Sequence, residues 1–61
     1  MKFRFIGEKK FNTNNIYEIL QFELVNKHFC AYVIDDNNKL TFISYPSMDK
    51  FNENWSYVYD D

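Results

Sequence analysis

The chain predicts a mainly β protein: five short antiparallel strands, with one short helical turn before the last. Three observations carry that expectation. Apolar and polar residues alternate with a period of two in several segments, β-branched and aromatic residues crowd those segments, and clusters of Asn and Asp interrupt them. At 61 residues the chain makes one domain, small enough that its core has to be rich. It is rich: 46% of residues are hydrophobic and 21% aromatic. Burying one large apolar side chain contributes roughly 1.5–3 kcal/mol, so a handful of rings can hold such a fold together.

"MKFRFIG" sets Met1, Phe3 and Phe5 against Lys2 and Arg4, a half-buried strand ending at Gly7. "EKKFNTNN" is a polar loop whose lone Phe11 is placed to tuck back over the core. In "IYEILQFELV", Ile16, Leu20, Phe22 and Leu24 share a strand face with Glu18, and Tyr17, Ile19 and Val25 share the other with Gln21 and Glu23. A helix fits as well, because Ile16, Ile19, Leu20 and Glu23 follow a 3-4 spacing. Aromatic and β-branched content, with Asn26–Lys27 as a hairpin turn, favours strand. "HFCAYVI" and "KLTFISY" are two further strands, the second with Leu40 and Phe42 on one face and Thr41, Ile43 and Tyr45 on the other.

Between them, Asp35, Asn37 and Lys39 occupy the first three ligand spacings of a calcium loop. The third of these is a cation, Leu40 stands where the sharp turn needs Gly, and Pro46 stands where a bidentate Glu is required. "DDNN" is therefore expected to be a hairpin turn, with Asp and Asn side chains bonding their own backbone, and no metal is expected. Pro46 ends the fourth strand. Ser47 is a suitable N-cap, Asp49 lies in the first helical turn, and Met48 and Phe51 are expected to share one side of it. "WSYVYDD" alternates again, with Trp55, Tyr57 and Tyr59 on one face.

The sequence argues against catalysis. It has one His, one Cys, no Gly-rich phosphate loop and no nucleophile elbow, so neither an enzyme nor a cofactor is expected. Cys30 reads as a small buried apolar residue; His28, two residues away on a strand, shares its face without touching it. No segment has the length of a membrane span, and the start has no apolar signal-like region, so a cytoplasmic location is expected. Net charge is −2, with Lys2, Arg4, Lys9 and Lys10 near the start and Glu53, Asp60 and Asp61 near the end.

The layout of five short strands, a polar loop after the first and a helical turn before the last resembles that of SH3-like small β-barrels. The chain also looks like the small barrel proteins encoded by low-G+C bacteria and their phages. Gly7, "IYEIL", "YVIDDNNKLTFI" and "FNENWSYV" carry the resemblance, which covers most of the chain. It implies a barrel and a phage or mobile-element origin, and brings no activity with it. Asn, Lys, Ile, Phe and Tyr, types with A+T-rich codons, make up about half of the chain and suit that origin. "YPSMDKF" echoes the Pro-Ser turn of signalling SH3 domains, but their Ala-Leu-Tyr-Asp-Tyr motif and paired tryptophans are missing, which puts proline-rich ligands in doubt.

Two functions remain. The first is protein binding, to a host protein or to a second copy, through Tyr45, Trp55, Tyr57 and Tyr59, because Tyr and Trp dominate interface hot spots. For Trp55 the competing expectation is a core anchor. The second is binding of single-stranded nucleic acid through Lys2, Arg4, Lys9 and Lys10 as one basic edge beside exposed aromatics.

Overall fold

The computed structural model describes residues 1–59 and consists of five strands and one helix. The strands are β1 (Lys2–Phe5), β2 (Ile16–Val25), β3 (His28–Ile34), β4 (Leu40–Tyr45) and β5 (Trp55–Tyr57), and α1 (Met48–Asn54) precedes β5. All neighbours pair antiparallel in one sheet of order β4-β3-β2-β1-β5. The mainly β expectation holds, with the short helix before the last strand. The sheet is open: among the described residues no ladder joins β4 to β5, so strand pairing does not close the expected barrel. Asp60 and Asp61, the end of the acidic stretch, lie outside the described residues.

Alternation in β1 works as the sequence implies. Phe3 and Phe5 are buried, and Lys2 and Arg4 face solvent. Gly7 is needed for space, since a Cβ there would stand 2.4 Å from Asn54 Oδ1 and 2.7 Å from Phe5 Cζ. The loop from Ile6 to Asn15 then folds back over the core. Phe11 lies edge-on to Phe5, Tyr17 and Trp55, with ring centroids 5.4, 5.3 and 5.2 Å apart.

β2 is strand throughout, which settles the helix alternative, but it does not keep one phase. Gln21 has φ 55°, and the register with β3 shifts between Leu20 and Glu23. This bulge puts two residues opposite one and turns the faces over. Phe22 therefore packs on the same core as Tyr17 and Ile19, not beside Leu20 and Ile16 as strict alternation implies. At the β2–β3 hairpin, Asn26 (φ 49°) and Lys27 (φ 67°) are both left-handed, the geometry that a two-residue I′ turn demands.

The opening turn of β4 is built by Asp35. Its Oδ1 accepts the Asn37 and Lys39 N–H groups, both at 2.9 Å, and its Oδ2 accepts the Thr41 hydroxyl at 2.9 Å. Asn38 (φ 61°) supplies the left-handed residue. These bonds hold the carboxyl below the ordinary Asp value, the Lys39 N–H first and the Thr41 hydroxyl next. A depressed folded-state pKa stabilises the fold above the unfolded-state value of about 3.9 and loses that effect as pH falls through the folded value. In thermal melts the wild type is expected to exceed Asp35→Ala at neutral pH, and the gap should narrow in acid. A gap independent of pH would contradict the role of the carboxylate.

Ser47 caps α1, its Oγ accepting the Lys50 N–H at 3.2 Å from an extended backbone. The helix is longer than the expected single turn and runs on through Asn54. Met48 does not share the core side with Phe51: it is exposed, and Phe51 alone is buried. The core lies between the sheet, α1 and the β1–β2 loop, with Phe3, Phe5, Tyr17, Ile19, Ala31, Val33, Ile43, Phe51 and Trp55 as its buried members.

Candidate functional surfaces

One face of the sheet is covered by α1 and the β1–β2 loop; the other is not. Cross-strand pairing puts Leu20, Tyr32 and Phe42 in one row of the outer face, from β2 through β3 to β4. The next row brings Ile34 beside Leu40, with Glu18 on the far side. Tyr32 and Phe42 meet edge to face at 5.5 Å. Leu40 is 58% and Phe42 55% exposed, while Leu20, Tyr32 and Ile34 are half-buried. The row beyond holds Glu23, Cys30 and Ser44, so the apolar surface has a polar border on that side.

The four aromatic candidates do not form one surface. Trp55 is 2% exposed, boxed in by Phe5, Phe11, Tyr17 and Phe51. Its placement among the binding residues is corrected: β5 starts directly after α1, which draws the indole under the β1–β2 loop. The indole N–H donates to the Tyr45 hydroxyl at 3.0 Å, a side-chain link across the open side of the sheet. Burial pushes the Tyr45 hydroxyl above the ordinary tyrosine value, and the Trp55 N–H works the other way. Tyr57 leans on Phe3 at 5.3 Å and meets Tyr59 edge to face at 4.7 Å. Tyr59 is 81% exposed. Tyr57 and Tyr59 thus form an exposed pair at the β5 end, away from the β4 side of the outer face.

The cations are divided as well. Lys2 stands opposite Glu18 in the β1–β2 ladder, and the Arg4 guanidinium donates to Asn14 O at 2.8 Å. Lys9 and Lys10 line a different feature, a groove of about 460 Å³ between the β1–β2 loop and the end of β4, together with Glu8 and Glu53. Neither Lys2 nor Arg4 borders it.

Several further polar groups have structural partners. Tyr17 donates to Asp36 Oδ2 at 2.7 Å and accepts the Asn12 N–H at 3.0 Å. Burial, and then the Asp36 carboxylate it donates to, raise the Tyr17 pKa above its ordinary value. Cys30 is buried, with Sγ 3.5 Å from Ser44 Oγ. His28 Nδ1 lies 3.1 Å from Asn26 O, on its own hairpin. Among the described residues no three His, Cys, Asp or Glu side chains come together as metal ligands would, and no helix is long and apolar enough to cross a membrane.

Sequence reasoning did not single out Leu20, Tyr32 and Ile34. The signal was present in the strands "HFCAYVI" and "KLTFISY", each apolar on both faces. A single sheet with one seven-residue helix has cover for only one of those faces. No protein-family model, curated protein or solved structure matches the chain.

Proposed function

We propose that the chain is a non-enzymatic protein-interaction module that docks through the outer face of β2, β3 and β4. The observation that carries this reading is the continuous row of Leu20, Tyr32 and Phe42, with Ile34 and Leu40 beside it, left without cover. Aromatic anchors surrounded by partly buried aliphatics are what interface hot spots are made of. The partner is another protein, and the resemblance to phage-encoded barrels makes a host protein the natural candidate. Nucleic acid is the weaker reading, because Arg4 is engaged by Asn14, Lys9 and Lys10 lie apart from Lys2 and Arg4, and net charge is −2.

The test is a tagged capture from bacterial cytosol after nuclease treatment, comparing wild type with Leu40→Ser/Phe42→Ser. Both side chains are more than half exposed, so the double variant is expected to fold with a stability change of about 1 kcal/mol or less. Wild type should retain one stoichiometric protein, and the variant should lose it. Equal retention by both, or capture that disappears with nuclease, would contradict the reading.

A further inference from the structure

β4 is an edge strand, bonded on one side only. Its register with β3 is opened by the Asp35 N–H, which donates to Lys39 O at 2.8 Å. Bonded pairs alternate along an antiparallel ladder. With Asp35–Lys39 as a bonded pair, Thr41, Ile43 and Tyr45 turn their backbone groups to β3. Leu40, Phe42 and Ser44 therefore turn theirs to the free edge. A row of unpaired N–H and C=O groups is a template for another strand.

That edge borders two neighbouring clefts, both lined on the far side by residues of the β1–β2 loop. Ser44 and Tyr45 line one of them, Thr41 and Phe42 the other, and Ile43 and Lys10 belong to both. A wall on each side suits a single strand better than the edge of a second copy's sheet. Ile43, shared by the two clefts, and Phe11, in the one beside Asp35, give them an apolar lining.

Their charges are graded along the edge. At the Ser44 end, Lys9 and Lys10 make no ion pair among the described residues. Two carboxylates share that end: Glu8, and Glu53, which is held by Lys50 at 3.3 Å. At the other end Asp35 is engaged by its own turn, and Asp36 accepts from Tyr17 and Asn12. With Glu53 paired to Lys50, Lys9 and Lys10 outnumber the one unpaired carboxylate among the described residues there, Glu8, beside the C-terminal half of β4.

We propose that the free edge of β4 accepts, as a sixth antiparallel strand, an extended segment of a partner protein, apolar in its centre with carboxylate side chains at the end meeting Lys9 and Lys10. Main-chain bonds to Leu40, Phe42 and Ser44 hold the segment, and the lysines set its direction. The inference rests on the reading of the chain as a protein-binding module but uses the strand edge instead of the outer face. Capture that survives while the edge stays unoccupied would leave that reading intact and end this one.

The experiment is amide hydrogen exchange by NMR with a blocked synthetic octapeptide, two glutamates followed by alternating valine and threonine. At saturating peptide, exchange at Leu40, Phe42 and Ser44 should slow by about tenfold or more, with little change at Thr41, Ile43 and Tyr45, which are already bonded. A peptide with lysines in place of the glutamates, and one N-methylated at alternate residues, should bind at least about tenfold more weakly. Ser44→Pro removes an N–H that the fold itself does not use, and Lys9→Glu/Lys10→Glu reverses the basic end; both should fold and lose the protection. No slowing at millimolar peptide, or equal slowing with the N-methylated peptide, would overturn the proposal. So would protection that grows with protein concentration and no peptide, because a second copy would then hold the edge.

Discussion

Trp55→Ala is expected to remove most or all of the cooperative thermal transition. The indole is fully buried where Phe5, Phe11 and Tyr17 converge, at centroid distances of 4.8, 5.2 and 5.8 Å. Large-to-small replacement of such a ring costs about 3–5 kcal/mol, and a chain of this length has a total stability of roughly 3–9 kcal/mol. The expected fall in Tm is therefore at least about 12 °C, extending to complete loss. Trp55→Phe keeps an aromatic ring but drops the hydrogen bond to Tyr45, and should fall between. Tyr59→Ala, at 81% exposure, should change stability by no more than about 0.5 kcal/mol. Similar melts for Trp55→Ala and Tyr59→Ala would contradict the assignment of Trp55 to the core.

Phe51→Ala is expected to be as damaging by a different route. A seven-residue helix does not hold itself together in water; its stability comes from packing. Phe51 is the only buried residue of α1 and touches rings from four strands: Phe3 at 5.3 Å, Phe22 at 5.7 Å, Phe29 at 5.0 Å and Tyr45 at 5.9 Å, besides Trp55. Its truncation undocks the helix and uncovers that end of the core, at a cost of about 3–5 kcal/mol. Near-ultraviolet circular dichroism should lose its aromatic signal well before the far-ultraviolet β signal goes. Met48→Ala, three residues away on the exposed side, should be nearly silent. A large loss at Met48 would restore the expectation that it shares the core side with Phe51.

Much of this architecture was legible in the residues themselves. Alternation placed Phe3 and Phe5 inside and Lys2 and Arg4 outside, Asn26–Lys27 marked a turn needing two positive φ angles, and Ser47 marked a helix start. Each of these is a local preference, readable because the backbone geometry needs that residue type. The bulge at Gln21 was not legible. Nothing in glutamine calls for φ 55°; the cause is tertiary, since one extra residue is what brings the Phe22 ring onto Phe3, Phe29 and Phe51.

The candidate surface was hidden for a related reason. β3 and β4 are apolar on both faces, so hydrophobic pattern alone does not say which face the helix and loop will cover. Phe11 and Phe51, both outside the strands, make that choice by packing over Ala31, Val33 and Ile43 and leaving Tyr32, Leu40 and Phe42 outside. Trp55 follows from the same choice. With the covered face decided, the start of β5 falls beneath the loop, and of the aromatics in that run Tyr57 and Tyr59 remain exposed.

The most direct measurement is an amide NMR titration of the isotope-labelled chain with the protein it captures. The account predicts shift changes and line broadening concentrated on Leu20, Tyr32, Ile34, Leu40 and Phe42, with Tyr57, Tyr59, Lys2 and Arg4 little affected. Perturbations confined to Tyr57 and Tyr59, or to the basic residues of β1, with the outer face unchanged, would contradict it.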